Sequence, residues 1–236
     1  MGAVSSAFYD VFHTGVVLQA FIFDMDGTVV DNMAFHQLAW DAMLTDLGLT
    51  VDRDEFFAWS AGLTNAEILP RLLGGTVSDA DVAHHAARKE AHYRELYAPK
   101  AQTIRGFDAF LQQLIDAGHP RAVGTAAPPA NIEIVLDRLK LRERFHTVVG
   151  AADVSRGKPD PEIFLTAAAR LNAMPANCIV FEDAPAGIEA ARRAGMACVV
   201  VATTLSRGQF AALPNTEHVL HVIDDFTDPA LQALLR

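Results

Sequence analysis

Cysteine is nearly absent from this chain: among 236 residues only Cys178 and Cys198 occur, each inside an apolar, strand-like run. A disulfide framework is thereby excluded, and buried free thiols in a reducing, cytoplasmic setting are expected. There is no C-x-x-C and no histidine set at zinc-ligand spacing, so a zinc centre is not expected either. No apolar stretch approaches the roughly 18 residues that a membrane span requires. Lysine and arginine number 19 against 29 aspartates and glutamates, a net charge of −10, and no basic block offers a nucleic-acid track. An acidic surface would repel a phosphate backbone. It would also slow small anionic substrates, so any site for them must supply strong cations locally. The opening Met1-Gly2-Ala3-Val4-Ser5-Ser6 has the form of an acylation signal, but no polybasic patch reinforces it and no lipid anchor is expected. What the chain does have is apolar content, 51% against 20% charged residues, and enough length to divide into a large and a small globular domain.

The most informative segment is Phe23-Asp24-Met25-Asp26-Gly27-Thr28-Val29-Val30-Asp31-Asn32, which follows the apolar run from Val16 to Ile22. Two carboxylates therefore leave the C-terminal end of a strand together, where open α/β sheets carry their ligand crevice. Positions two apart point the same way while the chain stays extended, and Gly27 then lets it turn. Such a pair repels itself unless a cation or a proton lies between, which calls for a hard divalent ion and one carboxylate able to hold a proton. Asp24, Asp26, Gly27 and Thr28 resemble the Asp-x-Asp-Gly-Thr/Val motif that opens the haloacid dehalogenase-like superfamily of phosphotransferases.

Three later segments resemble the remaining signatures of that superfamily, in order. Thr125 closes the run Ala122-Val123-Gly124. Lys158 lies in Gly157-Lys158-Pro159-Asp160-Pro161-Glu162-Ile163-Phe164, just outside a helix with an apolar face of Phe164, Ala167, Ala168 and Leu171. Glu182 and Asp183 end the strand-like Cys178-Ile179-Val180-Phe181. The resemblance implies Asp24 as nucleophile, forming an aspartyl-phosphate, and Asp26 as acid and base. It further implies Thr125 and Lys158 on the transferring phosphoryl group, and Mg²⁺ held by Asp24, the backbone carbonyl of Asp26 and Asp183. Glu182 would stand beside the metal in its outer shell.

Strand-like and helical patterns alternate along most of the chain. Arg121 to Thr125, Thr147-Val148-Val149, Cys178 to Phe181 and Ala197 to Val201 read as further strands; Phe107, Phe110, Leu111 and Leu114, and later Ile132, Val135, Leu136 and Leu139, read as intervening helices. Right-handed crossovers then give a doubly wound, mostly parallel Rossmann-like sheet. From Met33 to about Tyr97 the pattern is helical throughout, with Trp40, Met43, Leu44 and Leu47 on one face and Ile68, Leu69 and Leu72 on another. The expected organisation is an α/β core of residues 1–32 and 100–236, with an all-helical bundle of four short helices, 33–99, inserted as a cap.

The cap must choose the substrate. The chain most resembles the β-phosphoglucomutase-like branch, in which a cap histidine and a cap lysine face the site; His36 and Lys89 stand in the matching places. His36 also fits a helix-core position four residues before Trp40, and Lys89 in Arg88-Lys89-Glu90 also fits a solvated helix face. Asn65 stands where a mutase carries an arginine for a second phosphate, and Ala127 and Pro128 replace polar residues that grip it. Losing those donors favours hydrolysis of a small phosphate ester over a hexose-phosphate mutase reaction. Inorganic pyrophosphate as substrate and a non-catalytic binding module are the other readings, and the oligomeric state stays open, a monomer being compatible.

Overall fold

The computed structural model describes residues 19–74 and 77–235. The acylation-like leader and the first residues of the run from Val16 lie outside that range. Six parallel strands form one sheet in the order β3-β2-β1-β4-β5-β6: β1 Ala20–Phe23, β2 Arg121–Gly124, β3 Thr147–Val149, β4 Cys178–Glu182, β5 Ala197–Val201 and β6 Val219–Ile223. Sequence order reverses between β1 and β4, which pair directly with Phe23 opposite Phe181. This is the doubly wound arrangement, with its crevice at the switch point.

Both sheet faces are covered. In β1, Phe21 and Phe23 enter one apolar cluster with Phe110, Leu114, Phe181 and Phe226; Ala20 and Ile22 enter another with Phe164, Ala167, Val180 and Ala190. Period-two alternation thus splits one apolar strand between two cores, which is why its sequence reads as a continuous hydrophobic run. The packed helices are α5 (Phe107–Asp116), α7 (Glu162–Arg170) and α8 (Pro185–Arg193). The helix expected from Ile132 to Leu139 is instead a short α-turn, α6 (Pro129–Ile132), that widens into a π-helical turn over Glu133–Asp137. Strand β6 was not anticipated.

Between β1 and β2 the chain makes the helical cap: α1 (Met33–Asp46), α2 (Arg53–Ser60), α3 (Asn65–Leu73) and α4 (Asp79–Tyr97). Polar residues start these helices. Asp52 accepts the Glu55 amide at 2.9 Å, and Ser78 accepts that of Asp81 at 3.2 Å, satisfying orphan N–H groups of each first turn. The bundle has its own core of Trp40, Met43, Leu44, Phe56, Ile68 and Leu69. Its two connections to the sheet are tied together: Val30 bridges Thr103 and the Ile104 amide donates to the Val29 carbonyl at 2.9 Å. That pairing seats the cap over the ends of β1, β2 and β4. Among the described residues no helix is long and apolar enough to cross a membrane.

Phe181 is fully buried and contacts Phe23 and Phe226 as stacked rings with centroids 4.7 and 5.6 Å away. Phe181→Ala is expected to lower the unfolding free energy by about 3–5 kcal/mol. Leu220→Ala on β6, where the side chain is 44% exposed, should change it by less than about 0.5 kcal/mol. Urea titrations of the two variants check the contrast.

Candidate active site

Asp24 is the first residue beyond β1 and its amide donates to the Phe181 carbonyl at 2.9 Å, prolonging the ladder. Thr125 is the first beyond β2, while Glu182 and Asp183 end and follow β4. The sheet therefore delivers four polar side chains from three neighbouring strands to one spot. All four are buried, with 1–6% exposure. Lys158 arrives from the loop between β3 and α7 and is itself 2% exposed. Its Nζ donates to Asp24 Oδ1 and, at 2.6 Å, to Glu182 Oε1.

The carboxylates are sorted by their partners. Glu182 is fully engaged, since its second oxygen accepts the amides of Asp183 and Ala184 at 2.7 and 2.8 Å. Among the described residues Asp183 accepts only hydroxyls, from Thr28 at 3.3 Å and from Thr204. Two glycines leave room for this packing. A methyl group at Gly27, where φ is +79°, would overlap the Asp183 carboxylate, and one at Gly187 would overlap that of Glu182.

Oxygens of Asp24, Glu182 and Asp183 lie within 4.8 Å of one another. Burial pushes the Asp24 carboxyl up to about 8, against the pull of Lys158 and with the push of Glu182 and Asp26. Burial, then Glu182 and Asp24, likewise hold Asp183 well above the usual carboxylate range. Lys158 stays charged: burial opposes its protonation, but Asp24 and Glu182 together raise it above an ordinary lysine. Were all three carboxylates ionised, the one ammonium would leave two negative charges without compensation, and this is what holds Asp24 and Asp183 toward their protonated forms. A hard divalent cation on the oxygens of Asp24 and Asp183 removes that penalty, so the donor set fits Mg²⁺.

Asp26 turns from this cluster toward the cap. Its Oδ1 accepts from Asn32 Nδ2 at 2.5 Å and lies 3.8 Å from His36 Nε2. Asn32, fully buried, also accepts the Gly27 amide at 3.2 Å and donates to the Tyr93 hydroxyl at 2.5 Å. The His36 ring stacks on Tyr93 at 3.8 Å, and its Nδ1 pairs with Lys89 Nζ at 2.9 Å. An ammonium can only donate, so the neutral ring carries its hydrogen on Nε2, the nitrogen nearest Asp26.

Lys89 differs from a solvated-face residue: it is 4% exposed and donates also to Glu90 Oε1 at 2.8 Å, whereas its neighbour Arg88 reaches Asp46 on the exposed side. Asn65 begins α3 and donates to the same Glu90 oxygen at 2.7 Å. His36, Asn65, Lys89 and Glu90 line one cavity of about 340 Å³ together with Asp24, Asp26, Thr125, Lys158, Glu182 and Asp183. All of the site residues expected from sequence thus border the same space. Sequence reading missed Asn32, Tyr93, Glu90, Asn131 and Thr204, polar residues whose partners lie far along the chain and which resemble ordinary caps or surface groups.

The family model described as haloacid dehalogenase-like hydrolase matches residues 18–195. A β-phosphoglucomutase from Bacillus subtilis is 35% identical over 217 residues, covering 89% of this chain and 92% of that protein. A fructose-1-phosphate phosphatase from Escherichia coli is 36% identical over 183 residues, covering 76% and 94%. Among solved structures, a β-phosphoglucomutase from Clostridium difficile aligns with a TM-score of 0.79 at 27% identity, over 93% of this chain and 97% of that one. Sheet order, capped crevice and acidic cluster agree with these matches, and the chain belongs to the haloacid dehalogenase-like hydrolases.

Proposed function

We propose that the protein is a Mg²⁺-dependent phosphatase that hydrolyses a small phosphate monoester, with sugar phosphates among the candidates, through a phosphoaspartate on Asp24. The observation that carries this reading is Lys158 Nζ, buried between Asp24 and Glu182 where β1 and β4 end. A cation so placed can meet the phosphoryl oxygens and draws the nucleophile toward its ionised form, which a bound divalent cation would complete. Asp24, Asp183 and the Asp26 carbonyl would hold the metal, which neutralises the carboxylates and the phosphoryl charge when bound.

Asp24 attacks phosphorus, the ester P–O bond breaks, and the departing alkoxide takes the proton of Asp26. Asp26 then accepts a proton from water as the water oxygen attacks the phosphoaspartate, releasing inorganic phosphate and the free Asp24 carboxylate. Asn32 and the His36–Lys89 pair orient Asp26 from the cap side. The Thr125 hydroxyl accepts the Ala127 amide at 3.1 Å, so its own hydrogen is available to a phosphoryl oxygen. Glu182, saturated by Lys158 and two amides, acts by fixing the lysine rather than by binding metal directly.

The mutase reading draws on the Bacillus subtilis relative and on the His36–Lys89 pair. Hydrolysis is favoured by Ala127 and Pro128, which line the cavity without a side-chain donor, and by Asn65, which is committed to Glu90. A mutase has to regrip a bisphosphate before water arrives, and those positions offer no charge for it.

Asp24→Asn should keep the fold and lower turnover of a generic aryl phosphate by at least about a thousandfold. Phosphate release in Mg²⁺ measures this, and activity within tenfold of wild type would remove Asp24 from the role. With β-glucose 1-phosphate, Mg²⁺ and glucose 1,6-bisphosphate, inorganic phosphate should exceed glucose 6-phosphate at every time point. The reverse ratio, dependent on bisphosphate and lost in Asp24→Asn, would establish the mutase.

A further inference from the structure

Glu90 is the only residue of the α4 segment from Arg88 to His92 whose charge faces both the cap and the core of the crevice. Its carboxylate is 6% exposed and lies in the wall of the active-site cavity. Oε1 accepts from Lys89 Nζ at 2.8 Å and from Asn65 Nδ2 at 2.7 Å, both cap groups. Oε2 accepts from Asn131 Nδ2 at 2.5 Å, a fully buried core residue in α6, the turn that follows Thr125. The side-chain oxygen of Asn131, Oδ1, in turn accepts from an Arg94 Nη at 3.1 Å.

One ammonium and two amides from both sides of the crevice therefore converge on a carboxylate that belongs to the protein. That convergence is the donor set with which a site binds a substrate anion. Here the anion is built in. Lys89, with its burial and its bond to Glu90, is not available to a second substrate charge, and Glu90 would stand beside that charge in a buried, weakly screened wall. Neutral groups remain in the same wall, the side chains of Gln37 and Ser60. Trp40 and Phe57 add apolar surface to it. Such a lining suits hydroxyls on a carbon skeleton.

We propose that Glu90 determines specificity by occupying the place a second anionic group would need, so that the enzyme accepts monophosphates with an uncharged, hydroxyl-rich remainder and rejects bisphosphates. This rests on the phosphatase reading of the same site. Glu90 touches the remote part of the substrate, not the reacting atoms.

The test compares kcat/KM for paired substrates that differ by one phosphate, such as fructose 1-phosphate and fructose 1,6-bisphosphate, using the full chain with Mg²⁺. Wild type should prefer the monophosphate by about 100-fold or more, since like charges brought together in a buried site are strongly unfavourable. Glu90→Gln should lower that preference at least about tenfold, chiefly through a smaller KM for the bisphosphate, while Glu90→Asp, which keeps the charge, should retain it. Equal use of both substrates by wild type overturns the inference even if Glu90→Gln does not fold, as does an unchanged preference in a folded Glu90→Gln. Those results leave the phosphatase reading intact whenever the aryl phosphate is hydrolysed; failure to hydrolyse any monoester overturns both.

Discussion

Lys158 reaches from the loop after β3 into the gap between β1 and β4, and its ammonium lies between two buried carboxylates that would otherwise face one another. Removing one partner of a buried ion pair costs about 3–5 kcal/mol, so this contact constrains the lysine loop, the Asp24 segment and the end of β4 together. The parallel pairing of β1 with β4 sets the distance that the lysine spans. Glu182 is fixed by two amides of its own chain and by a glycine, Gly187, that admits its carboxylate. Asp24 and Asp183 are left with the least compensation, and there a divalent cation and a phosphoryl group have most to gain.

A second polar layer lies above the first. From Asp26 it runs through Asn32 to Tyr93 and through His36 to Lys89, Glu90, Asn65 and Asn131. Asn32, Tyr93, Lys89, Glu90 and Asn131 are buried and the others half-buried, and the layer joins α1, α3 and α4 to the core. Within it burial disfavours ionisation of Glu90, yet the Lys89 charge and the Asn65 hydrogen bond bring its carboxyl down to about 2. The charge is accordingly permanent at neutral pH. On the proposed reading, the lower layer would handle any phosphoryl group alike, whereas the upper layer would meet the part of a substrate that differs between substrates.

The core of this arrangement was legible because its residues are local signatures. Asp24, Asp26 and Gly27 form one short motif, and Glu182-Asp183 ends a strand whose apolar run is unmistakable; the alternation of runs gives the doubly wound sheet. Strand β6 was hidden since His221 interrupts Val219-Leu220 and Val222-Ile223 and only Ile223 is fully buried. The π-helical turn at Glu133–Asp137 keeps the same apolar spacing as an α-helix, so periodicity could not distinguish it. Lys89 fitted a solvated face as well as the site because its neighbours Arg88 and Glu90 are charged. Its burial depends on His36, 53 positions earlier in sequence, and on a carboxylate shared with Asn65 and Asn131. Long-range polar pairing of this kind has no period and leaves no pattern in a single chain.

On the proposed mechanism, the carboxylate held by Lys158 becomes covalently phosphorylated. Rapid acid quenching during turnover of a phosphate monoester in Mg²⁺, followed by peptide mass spectrometry, tests it most directly. A phosphoryl group is expected on Asp24 and absent from Asp24→Asn. A phosphoryl group on Asp183 or Thr125 instead, or turnover at full rate with no phosphorylated peptide under conditions that preserve acyl phosphates, would contradict it.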